Sequence, residues 1–250
     1  MKEPKYRKRL NNEQLDILDL LFTFRFISND AVAEYFGKRD RSYVFRRMKV
    51  LLEQELIGRR FDKSYRLQGK AAAYYLTPNG ARALQAARYA DKELLYIKPI
   101  YKDPSATEQF VEHCTMLFRH YMQLRTQHGD KLQFFTKLQM KPYEYFIRPL
   151  PDAYYSIKDT EKRYLVDLMH SYQPLYSVKR RVQEYLDYES EGDWEDTGKP
   201  FPVVQFICDR EAFKRKVERK VKSILEDAWS DEVQIQIILI GVEWFVWRNF

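Results

Sequence analysis

The chain has 250 residues, 45% apolar and 16% aromatic, which is material for one large or two ordinary domains and excludes an extended disordered chain. Two cysteines, Cys114 and Cys208, with no CxxC or Cys/His spacing around them, exclude a disulfide framework and a closed zinc site, which needs about four ligands. The net charge of +7 points to a polyanionic partner.

The opening nine residues are basic, but Asn11-Asn12-Glu13 stands where the apolar core of a signal peptide belongs, so a cytoplasmic location is expected. Asn11 or Asn12 caps a predicted helix with Leu15, Leu18, Leu21 and Phe22 at helical spacing, and Phe24 to Ile27 carries the chain out of it. Ser28 caps a short second helix with Ala31, Val32, Tyr35 and Phe36 on its inner side, ended by Gly37. Asp40 then caps a third, Arg41 to Glu55. A tight glycine turn between two helices is the helix-turn-helix pattern.

Val44, Met48, Leu51 and Leu52 form one apolar stripe on that third helix, which turns Ser42, Arg46 and Lys49 outward with Tyr43 and Arg39 beside them. A helix that docks in a DNA major groove needs this division of faces. From Lys38 to Arg66 ten basic residues stand against four acidic ones, so most of the chain's net charge falls in this segment. Beyond it, Ile57 to Phe61, the polar tip Asp62-Lys63-Ser64 and Ala72 to Leu76 read as a β-hairpin carrying Arg59, Arg60, Lys63 and Arg66. Thr77-Pro78 then starts a fourth helix that runs to about Tyr89.

Lys98-Pro99 and Asp103-Pro104 punctuate a linker, after which Ser105 caps a helix ending near Gly129. Strands are predicted at Leu132 to Met140, Glu144 to Arg148, Ala153 to Ile157, Tyr164 to Met169, Val203 to Cys208 and Val233 to Ile240, with helices at Leu175 to Tyr188 and Glu211 to Asp227. The run Ile235 to Trp247 is broken by Gln236 and Glu243 and is too short to span a bilayer. The fold class is therefore α+β and α/β, a helix-turn-helix domain over 1–97 followed by a mixed α/β domain over 98–250. His113 and His120, seven apart on one helical face, read as a polar seam. The chain has no phosphate loop, dinucleotide fingerprint or nucleophile elbow, and no clustered HxH motif accompanies a tyrosine as relaxase chemistry requires.

The run from Glu13 to Leu84, with its LDILDLLFTFRFIS opening, SYVFRRMKVLLEQELIGRR centre and YYLTPNGARAL close, resembles the winged-helix region of the replication-relaxation family of plasmids and mobile elements. The resemblance implies sequence-selective binding of double-stranded DNA by a winged helix, in replication or transfer of a mobile element. A transcriptional regulator using the same head is the alternative. Replication or transfer proteins and a second copy of the chain are the expected protein partners.

The resemblance also implies a restriction-endonuclease-like, PD-(D/E)xK-type second domain, with Asp152 and Asp167 as its acids. Such a nuclease needs Mg²⁺ and a lysine two residues after the second acid, and Met169 stands there. Lys179 on the following helix is the cation that would substitute. The expectation is a degenerate, non-catalytic site without a cofactor; the alternative is a metal-dependent DNA nuclease.

Overall fold

The structure is a computed structural model that describes residues 10–38, 41–61, 65, 67, 69–89, 98–228 and 233–241. It is mixed α and β and divides into two compact units, 1–118 and 119–250. No helix among the described residues is long and apolar enough to cross a membrane.

The first unit runs α1 (Asn12–Phe24), β1 (Phe26–Ser28), α2 (Asn29–Tyr35), α3 (Arg41–Glu53), β2 (Ile57–Arg60), β3 (Ala73–Leu76) and α4 (Pro78–Arg88). Its local signals are chemical. Asn11 accepts a hydrogen bond from the Gln14 amide while the Gln14 side chain accepts from the Asn11 amide, closing a capping box on α1. The Ser28 and Thr77 hydroxyls cap α2 and α4 by accepting from the Ala31 and Gly80 amides, and Gly37 adopts the left-handed conformation that ends α2 (φ 62°). The strands form an antiparallel sheet in the order β1-β3-β2, with Phe26 opposite Tyr75 and Arg59 opposite Tyr74. Ile17, Leu18, Leu21, Phe26, Ile27, Val32, Met48, Leu51 and Leu84 are buried beneath this sheet and helix set. Each such side chain contributes about 1.5–3 kcal/mol through removal from water.

This unit extends beyond the expected linker. A 3₁₀ segment, Lys98–Ser105, places the buried Asp103 carboxylate against the Arg25 guanidinium, which also donates to the Pro99 carbonyl at 3.0 Å. The start of α5 (Glu108–His128) packs Phe110, Val111 and Cys114 on Phe26, Ala73 and Tyr75. The boundary inferred from prolines reflects chain stiffness, whereas contacts draw it after residue 118.

In the second unit, β4 (Leu132–Thr136), α6 (Lys137–Met140), β5 (Ala153–Ile157), β6 (Arg163–Met169), α7 (Leu175–Glu191), β7 (Val203–Cys208), α8 (Glu211–Ala228) and β8 (Ile235–Leu239) follow the rest of α5. The five strands lie in the order β4-β5-β6-β7-β8; the first three are antiparallel, and β6, β7 and β8 are mutually parallel. Parallel neighbours require crossovers, and α7 and α8 supply them. Val178, Val182 and Tyr185 of α7 and Val217, Val221 and Ile224 of α8 share a core with Leu165, Val204 and Phe206 of the sheet.

Four local expectations change. Phe26–Ser28 forms a strand, too short to show a period of two in sequence. The strand expected over 132–140 stops at Thr136, because Thr136 and Gln139 form a capping box that starts α6. Residues 144–148 are turns: Tyr145 and Phe146 both join Tyr154 and Trp194 in one aromatic cluster, with ring centroids 4.7–6.0 Å apart, so their apolarity marks packing and no alternation. Finally, α5 begins at Glu108, where the Thr107 hydroxyl accepts from the Phe110 amide at 3.2 Å, instead of at Ser105. The predicted cap Asp40 and the end of the apolar run, 242–247, lie outside the described residues.

Candidate nucleic-acid interface and acidic cluster

Helix α3 buries Val44, Met48 and Leu51 and exposes Ser42, Phe45, Arg46 and Lys49 along the opposite side. Arg46 makes no ion pair or hydrogen bond with a described residue, which leaves its guanidinium fork open to a ligand. Lys49 lies 3.9 Å from Glu53, a pair so exposed that water screens most of it. Arg59 on β2 is exposed, its guanidinium 5.8 Å from the Phe61 ring centroid.

Other cations of the segment are turned to structural use. The Tyr43 hydroxyl donates to the Glu13 carboxylate, and its ring sits 5.0 Å from both Lys38 Nζ and the Arg47 guanidinium. Arg47 is 3.6 Å from Glu13 and donates to the Tyr43 hydroxyl at 3.2 Å. Arg60 donates to the Ala106 carbonyl and lies 3.7 Å from Glu108. Tyr43 and Arg60 therefore point into the first unit's own contacts, while Ser42, Arg46 and Lys49 share the outer face with Phe45, a residue the sequence reading overlooked. Arg39, Lys63 and Arg66 lie outside the residues whose side chains are described.

The two acids come together in the second unit. Pairing of Ala153 with Val166 brings Asp152, the residue before β5, opposite Asp167 on β6, and both carboxylates are buried. Asp152 accepts from the Leu168 amide at 2.7 Å and from the Lys137 ammonium at 2.6 Å. Asp167 Oδ2 accepts from Arg181 Nε at 2.7 Å and from the Tyr185 hydroxyl at 2.6 Å. Arg181 completes its donors on the Pro149 carbonyl, Glu184 and the Tyr185 hydroxyl, at 2.9–3.0 Å.

Burial pulls the Lys137 ammonium down, but Asp152 and then Asp167 outweigh it and leave its pKa above the usual lysine value. Burial likewise works against the Arg181 charge and is outweighed by Asp167, while Tyr185, fully enclosed, is held protonated well above the ordinary phenol range. A divalent ion needs free carboxylate oxygens, and here both Asp152 oxygens and one of Asp167 already accept from cations or fixed donors. The donor set does not fit Mg²⁺. Lys179 is exposed on α7, with no bond to either acid among the described residues, and Met169 is buried in the core. The cations that meet the acids are Lys137 and Arg181, neither of which the sequence reading singled out. A signal for Arg181 existed, since it sits on the apolar stripe Val178, Val182, Tyr185 of α7, where a charge needs a buried partner.

His120 is buried, which lowers its pKa to about 4, so it is a neutral imidazole at pH 7. No group of three His, Cys, Asp or Glu able to hold a metal occurs among the described residues.

Comparison with protein families matches residues 18–204 to the family described as replication-relaxation. The chain belongs to the replication-relaxation family. That membership fits a DNA-related role in replication. No curated protein matches the chain. Among solved structures, a mutant of Lactococcus lactis ZitR is similar over 51% of this chain and 81% of that one, at 17% identity and a TM-score of 0.28, a likeness too low to carry an argument.

Proposed function

We propose that this replication-relaxation protein binds duplex DNA sequence-selectively, with α3 in the major groove and the β2 side of the hairpin against the phosphate backbone. The observation that carries the reading is Arg46, exposed at the centre of the outer face of α3 with its charge uncommitted. A guanidinium so placed can pair bidentately with a guanine edge, and Lys49 and Arg59 beside it suit phosphates. A homodimer on paired half-sites, in the replication or transfer of a plasmid or other mobile element, is the expected setting.

The second unit, in this reading, is a restriction-endonuclease-like domain without catalysis. The strand order and crossovers support the likeness, and the engagement of Asp152 by Lys137 and of Asp167 by Arg181 supports the loss of chemistry. DNA titrations at a series of salt concentrations test the binding. Two phosphate contacts from Lys49 and Arg59 predict a log-log slope of about −1.8 or steeper, at roughly −0.9 per phosphate contacted. An affinity indifferent to salt, or no retention of duplex at low salt, contradicts the reading. Duplex incubated with the protein and Mg²⁺ or Mn²⁺ should be recovered intact; cleavage abolished by Asp167→Ala would overturn the non-catalytic assignment.

A further inference from the structure

Beside the acidic cluster, the second unit carries an open cleft of about 480 Å³ lined by Lys137, Lys141, Arg148, Pro149 and Leu150. Its cations are held in distinct ways. Lys137 spends its charge on Asp152. Arg148 does not: one guanidinium nitrogen donates to the Lys141 carbonyl at 3.2 Å and to the Tyr143 carbonyl at 3.1 Å, neutral acceptors that orient the fork and leave its charge uncancelled. Lys141 is exposed at the rim. With Lys137 matched by Asp152, the Arg148 charge gives a positive excess to a concave site, whose apolar wall is fixed by the Pro149 carbonyl accepting from Arg181 at 2.9 Å.

A planar guanidinium with a flexible ammonium across an open cleft matches a tetrahedral oxyanion that enters from solvent and remains attached to something larger. A cation is repelled from the same space. We propose that this cleft seats a backbone phosphodiester of a nucleic acid, so that the second unit makes a sequence-independent contact of its own. The choice of nucleic acid rests on the DNA-binding reading above; the anion site rests on the cleft.

The test uses the full chain and two probes, duplex DNA and inorganic phosphate, with Lys141→Gln, Arg148→Gln and the double variant. Lys141→Gln changes an exposed side chain and leaves the Arg148 anchors in place, so it reports even if Arg148→Gln disturbs the 141–148 turn. The double variant is expected to bind specific and scrambled duplexes about tenfold more weakly, with sequence preference kept and the salt slope shallower by about two, one per lost contact; Lys141→Gln should show about half of that change in slope. Unchanged affinity and slope in every variant, with the wild type bound, would overturn the proposal. If the wild type binds no duplex, the DNA reading fails and phosphate decides alone, read as the rise in Tm over chloride at equal ionic strength. A rise present in the wild type and lost in Lys141→Gln and the double variant upholds the anion site; no rise, or an equal rise in all, overturns it.

Discussion

Arg181 and Asp167 are each about one-tenth exposed and hold one another at 2.7 Å inside the second unit. Two desolvated charges in contact are worth little net, but stranding one is costly. Arg181→Ala is therefore predicted to destabilise the protein by about 3–5 kcal/mol in urea unfolding, because Asp167 is left buried with only Tyr185 to donate to it. Arg181→Met combined with Asp167→Asn should recover most of that loss. A cost below about 1 kcal/mol for the single change would mean that water reaches the carboxylate and that the cluster is no lock. At this scale the sequence told where the acids are, since Pro151-Asp152 and Asp167 sit at recognisable strand positions. It did not tell which cations meet them. Lys137 precedes Asp152 by a turn-rich excursion, and Arg181 reaches Asp167 from a helix, so both pairings are tertiary facts.

Helices with capping chemistry were legible in sequence because their signals lie within four residues of the end they cap, as at Asn11, Ser28 and Thr77. Elements decided by distant partners were not: β1 exists only because β3 lies alongside, and the 144–148 turns only because Trp194 and Tyr154 collect their rings. The start of α4 supplies a test at this scale. The Thr77 hydroxyl donates to the Glu55 carbonyl at 2.7 Å and accepts from the Gly80 amide at 3.1 Å, tying α4 to the turn after α3. Gly80 is required for that approach, since a Cβ there would lie 2.0 Å from the Leu56 carbonyl oxygen. Thr77→Ala should cost about 1–2 kcal/mol. Gly80→Ala, which stabilises a helix by about 0.5–1 kcal/mol where there is room, should here destabilise by about 1–3 kcal/mol through overpacking. A thermal melt in which Gly80→Ala raises Tm would contradict the packing of α4 against Leu56.

Across the whole molecule, charge was legible in amount and less so in use. The basic segment was visible as ten cations, yet Glu13 and Glu108, remote in sequence, draw in Lys38, Arg47 and Arg60. Among the described residues, the cations that remain outward form a narrower face centred on Arg46. That narrowing gives the account its sharpest test, a binding titration of wild type and Arg46→Ala on a preferred duplex and a scrambled one at the same salt. Loss of a bidentate base contact predicts a cost of about 1–3 kcal/mol on the preferred duplex, little change on the scrambled one, and hence a relaxed preference. Equal weakening on both duplexes would make Arg46 a phosphate clamp and contradict groove reading by α3, and no change on either would remove α3 from the interface.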